Sequence, residues 1–144
     1  MKKLFSVALM VAGFTVSACS GERPGSFDQL PKTAQEVISQ HFDKDNIAKI
    51  TIDNDEKKSE YEVRFANGTE LDFDKHGLLT KIKCKKTQVP DTLIPTEISA
   101  YVKTNYPATF IIEWEKEKKG SKVELNNGIE LKFNNLNQFV GLDN

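Results

Sequence analysis

The sequence predicts an α+β protein built from two tandem units, each one helix followed by a four-stranded antiparallel sheet, arranged in two layers. An internal repeat, helical apolar spacing at the start of each copy, and alternation around Asn-Gly turns predict it. Leu30, Pro31, Ala34, Val37, Ile38 and Phe42 recur as Ile94, Pro95, Ile98, Tyr101, Val102 and Tyr106 at an offset of 64. Further on, Val63, Phe65, Asn67, Gly68, Glu70, Leu71 and Phe73 recur as Val123, Leu125, Asn127, Gly128, Glu130, Leu131 and Phe133 at an offset of 60. One connection has therefore lost four residues, and the units span 28–88 and 89–144.

Before the first unit, residues 1–18 read as a signal peptide: basic Lys2 and Lys3, an apolar run from Leu4 to Val16, then small Ser17 and Ala18. The run is shorter than the roughly 20 residues of a spanning helix. Val16, Ser17, Ala18 and Cys19 resemble the bacterial lipobox, which makes Cys19 the expected lipid-attachment residue. Acyl chains on Cys19 would hold the protein at a membrane, with 19–27 as a flexible tether. The expected location is the periplasm or outer membrane.

In each unit the apolar residues of the opening segment fall on one helical face, with Pro31 and Pro95 in the first turn. Thr33 and Glu36 also fit a capping box for a helix starting later, and Pro107 ends the second helix. Strands are predicted near 47–53, 60–66, 69–75 and 78–84, and again near 109–116, 121–126, 128–134 and 138–142. Residues paired across an antiparallel ladder face the same way, so the hairpin register can be read from parity. A two-residue Asn67-Gly68 loop would set Arg64 against Leu71. A three-residue loop of Ala66, Asn67 and Gly68 instead sets Val63 against Leu71 and Tyr61 against Phe73, with Gly68 left-handed. Asn126, Asn127 and Gly128 give the same solution in the second copy.

The same parity turns Glu62, Arg64, Glu70, Asp72, Lys81 and Lys83 away from the core, as a candidate exposed binding face. From Cys19 onward 18 basic residues stand against 21 acidic ones, a balance that excludes a polyanion-binding surface and argues against a nucleic-acid partner.

A signal peptide, the Leu30–Phe42 helix, the Tyr61–Phe73 hairpin, Cys84 with Lys85, and a second copy carrying Ile94, Pro95, Tyr101, Val102, Asn105, Tyr106 and Pro107 together resemble the PepSY-like family of Bacteroidetes envelope proteins. The resemblance covers nearly all of the chain after the signal. It implies a fold similar to β-lactamase inhibitory protein and supplies no catalytic or binding residues. Kinship with an inhibitor favours protein binding by analogy alone.

No catalytic constellation emerges. Parity turns Cys84 toward the core, without the base that a nucleophilic thiol needs. His41 and His76 lack metal-ligand spacing. Asp53, Asn54, Asp55 and Glu56 resemble calcium ligands but lack the glycine and final glutamate of a calcium loop. Trp114 and Tyr61 occupy inward positions, which favours core packing over an interface role. The expected function is a non-catalytic, inhibitor-like module that binds an envelope protein or peptide through a sheet face or free edge, without metal or cofactor. The alternative is a small-ligand or glycan sensor using a groove where the units meet.

Overall fold

The computed structural model describes residues 21–54 and 60–143. The signal peptide, Cys19, and Asp55 and Glu56 of the acidic loop lie outside the described residues. Among the described residues no helix is long and apolar enough to cross a membrane.

Among the described residues nine strands form one antiparallel sheet in simple chain order. They are β1 (Glu22–Pro24), β2 (Ile47–Asp53), β3 (Tyr61–Phe65), β4 (Glu70–Phe73), β5 (Leu79–Lys83), β6 (Ile111–Glu117), β7 (Gly120–Leu125), β8 (Glu130–Phe133) and β9 (Phe139–Leu142). Helix α1 (Lys32–His41) lies between β1 and β2 in sequence, and α2 (Thr96–Asn105) between β5 and β6. The expectation of two four-stranded units, with the continuity of their sheets left open, gives way to a single nine-stranded sheet among the described residues. The join is made by β5 and β6, where Lys81, Ile82 and Lys83 pair with Glu115, Trp114 and Glu113. A second difference lies in the expected tether, since Glu22–Pro24 pair with Thr51–Asp53 as β1.

All core residues of the sheet share one face. The row Ile50, Val63, Leu71, Ile82, Trp114, Val123 and Leu131 runs without a break across β2–β8. Every member is buried, as are Ala34 and Ile38 of α1 and Ile98 and Val102 of α2, in one continuous cluster. The helices thus cover one side of the sheet and leave the other to water.

Both hairpins adopt the three-residue loop that parity requires. Val63 faces Leu71 and Tyr61 faces Phe73, and Val123 faces Leu131 in the copy. Asn67 Oδ1 accepts from Thr69 N at 2.9 Å and Asn127 Oδ1 from Ile129 N at 3.1 Å, while Gly68 and Gly128 hold φ of 87° and 85°. Pro31 and Pro95 sit at the N-caps, one residue earlier than expected, and neither helix has a side-chain cap. Thr33 is not used in a capping box; its hydroxyl donates to the His76 carbonyl at 2.7 Å and ties α1 to the β4–β5 turn.

Candidate functional site: an open charged face and a free edge

Alternation along each strand turns charged side chains to the uncovered face, and the register aligns them in two rows. One row reads Thr51, Glu62, Asp72, Lys81, Glu115, Lys122 and Lys132 across β2–β8. Its neighbour reads Lys49, Arg64, Glu70, Lys83, Glu113, Glu124 and Glu130. All six residues of the candidate face, Glu62, Arg64, Glu70, Asp72, Lys81 and Lys83, therefore lie side by side within these rows.

Much of this charge is paired within the protein. Glu113, with a side chain only 10 % exposed, takes Lys81 Nζ at 3.1 Å and Lys83 Nζ on its other oxygen. Lys81 also approaches Glu115, Lys83 approaches Glu124, Lys122 and Lys132 share Asp143, and Arg64 pairs with Glu62. Burial by itself raises the Glu113 carboxyl, but hydrogen bonds from Lys83 and Lys81 overcome it and hold the group below its usual range.

Asp72 is the exception to this compensation. Burial and then the Glu62 charge push its carboxyl up to about 6, against the opposing pull of Lys81, with Glu70 and Glu115 adding repulsion. A carboxyl whose folded-state pKa is raised favours the protonated native form. Its stabilising contribution is present below the unfolded value near 4 and disappears as pH rises through about 6. Asp72→Asn is therefore expected to stabilise the protein by about 1 kcal/mol at pH 7, after discounting for solvent screening, and to make little difference at pH 4. Urea unfolding of both forms at the two pH values checks this.

Cys84 is 3 % exposed, and burial pushes its thiol up, against the lowering effect of Thr69 and Thr87. A group held protonated in this way is the opposite of an activated nucleophile. Trp114 is buried in the core and Tyr61 packs against it, while His76 is exposed in the β4–β5 turn and His41 ends α1. Among the described residues no cluster of three His, Cys, Asp or Glu side chains is disposed to hold a metal ion.

The edges of the sheet differ from each other. The β1 edge is three residues long and carries Glu22, Arg23 and Pro24, the residue types that discourage pairing with another chain. The four residues of β9 carry neither charge nor proline, although its pairing with β8 shifts register at Val140: Val140 and Leu142 are 62 % and 54 % exposed, and among the described residues β9 pairs with β8 alone. Its inner side is fixed by Phe139, stacked on Tyr101 of α2 at 4.7 Å between ring centroids. Parity located the charged face; the asymmetry of the edges depends on the order of strands, which no local pattern encodes.

An open antiparallel sheet, backed on one side by two helices and charged on the other, defines a two-layer α+β protein with a large solvent-facing surface. Family comparison matches residues 22–60 and 59–140 to the family described as "Putative beta-lactamase-inhibitor-like, PepSY-like". The chain belongs to this PepSY-like family. It is similar to a "putative calcium-regulated periplasmic protein" from Bacteroides thetaiotaomicron at 39 % identity, covering 85 % of this chain and 97 % of that one with a TM-score of 0.78. It is also similar to a "putative periplasmic protein" from Bacteroides vulgatus at 38 % identity, covering 88 % and 99 % with a TM-score of 0.80. A second Bacteroides vulgatus protein, "of unknown function", shares 35 % identity over 86 % and 100 % with a TM-score of 0.78. Among curated proteins none matches the chain.

Proposed function

We propose that this protein is an exported, non-catalytic binding module of the envelope that captures an extended polypeptide segment by strand addition at β9. The uncharged apolar edge carries this reading. An edge strand presents unpaired backbone donors and acceptors, and exposed Val140 and Leu142 offer contacts that a partner strand covers. The periplasmic descriptions of the relatives, and the signal-peptide pattern with Cys19 as lipid anchor, support an envelope location. The inhibitor-like description of the family supports protein binding, as does the similarity to β-lactamase inhibitory protein that the sequence suggests.

In this reading the charged face adjoins the captured segment and contributes selectivity through Glu62, Arg64, Glu70, Asp72, Lys81 and Lys83. Its paired charges make it a modest source of affinity, since exposed ion pairs contribute at most about 1 kcal/mol each.

The test is selection of binders to residues 21–144 from a displayed random-peptide library. Enriched peptides are expected to be extended, with alternating apolar residues, and to lose at least about tenfold in affinity on Val140→Lys with Leu142→Lys, which install edge charges. Failure to enrich any saturable peptide sinks the proposal. Binding that survives the edge substitutions but falls with Arg64→Ala and Lys83→Ala moves the site to the sheet face.

A further inference from the structure

We infer that a crevice at the junction of the two repeats is a binding site for a small, neutral, polyhydroxylated molecule of one or two sugar units. It lies apart from the β9 edge and does not rest on the strand-capture reading.

The crevice has a volume of about 350 Å³, within the range of small-molecule sites. Leu78 and Leu79 of the first repeat and Pro95 and Trp114 of the second supply its apolar lining. Ser121 and the side-chain amides of the β8–β9 turn supply polar groups. Its origin lies in a difference between the copies. In the first, Ile52 pairs with Tyr61 and Tyr61 with Phe73; at the matching places Lys116 pairs with Ser121 and Ser121 with Phe133. A serine thus stands where the first copy packs a phenol ring, and Trp114 stands where the first copy has Ile50, opposite Val123 as Ile50 is opposite Val63.

A second, independent observation points to a ligand. Trp114 Nε1 and Ser121 Oγ are both buried without a hydrogen-bond partner, on residues 7 % and 5 % exposed that both line the crevice. Buried polar groups normally have partners, because an unmade hydrogen bond costs about 1–3 kcal/mol. One is a donor only and the other both donates and accepts. A ligand hydroxyl, which also donates and accepts, complements each once the crevice wall shifts to uncover these atoms, which are closed to a water-sized group. Asn135, in the same lining, adds an exposed amide. No carboxylate lines the crevice, and Lys116, its one charged residue, is exposed, so a neutral ligand fits better than an ionic one.

Trp114 is the single tryptophan of the chain, so its emission reports directly on the crevice. The experiment titrates glucose, galactose, N-acetylglucosamine and cellobiose into residues 21–144, with sodium acetate and glycine as non-hydroxylated controls. At least one sugar is expected to shift Trp114 emission saturably at millimolar concentration while the controls do not. Ser121→Tyr, which restores the residue of the first copy, is expected to abolish the shift. Ser121→Ala keeps the space, removes one hydroxyl and is expected to weaken binding about fivefold, so the test survives if the tyrosine variant folds poorly. Absence of any saturable sugar response, as for a crevice that holds only water, overturns the inference. So does an equal response to acetate or glycine, or one unchanged by Ser121→Ala.

Discussion

Replacing Ile82 with Ala is expected to lower stability by about 3 kcal/mol while leaving a single unfolding transition. Ile82 is fully buried and stands between Leu71 on one side and Trp114 on the other, at the one place where the first repeat's strands join the second's. Removing its outer carbons takes away their transfer free energy and leaves a hole bounded by β4 and β6, which the hydrogen-bonded ladder prevents from closing fully. The same row of buried side chains continues into both repeats, so loss at the join is felt by both. Far-UV circular dichroism follows all of the structure, whereas Trp114 emission follows the packing at the join, where Trp114 of β6 stands opposite Ile82 of β5. Coincident transitions by both probes, displaced together in Ile82→Ala, are the expected result. Two separated transitions would mean that the β5–β6 pairing joins the repeats geometrically without coupling them energetically.

Much of this architecture was legible because parity and turn chemistry act locally. The alternation Tyr61, Val63, Phe65 against Leu71 and Phe73, with Gly68 as the left-handed residue, admits one register, and the second copy repeats it independently. The outward orientation of Glu62, Arg64, Glu70 and Asp72 follows from that register, and that of Lys81 and Lys83 from their alternation with Ile82 and Cys84. By contrast, β1 gave no signal: Glu22, Arg23 and Pro24 are charged or unable to donate, and they form a strand only because β2 offers a partner. The join of β5 to β6 is a long-range pairing across α2, which no local period encodes. A groove where the units meet was among the expectations, but the residues that line it were not legible. Ser121 reads as an ordinary polar residue at the start of a strand, and its meaning appears only when it is set beside Tyr61, its counterpart in the same fold. Trp114 was correctly placed facing inward, but parity says nothing about whether its indole N–H finds a partner.

Gly120→Ala is the substitution expected to rival Ile82→Ala, at about 3 kcal/mol, through backbone geometry and not through lost burial. Gly120 begins β7 with φ of 142°, and a Cβ built there would lie 1.9 Å from the carbonyl oxygen of Phe133. No rotamer change relieves this contact, because the backbone fixes the Cβ and its partner is a backbone carbonyl. Either β7 withdraws from β8, disturbing the pairing of Ser121 with Phe133, or Gly120 changes φ and alters the turn from β6. Gly128→Ala separates the two contributions. Its φ of 85° imposes the same kind of strain, but nothing lies within 4 Å of the added carbon. It is expected to cost about 1 kcal/mol. The difference between the variants, read from denaturant midpoints at constant m-value, measures the close approach of β7 to the Phe133 carbonyl. Equal losses would show that this approach relaxes at little cost. A larger loss in Gly120→Ala would show that the start of β7, which bounds the crevice together with Ser121 and Trp114, is held rigidly against β8.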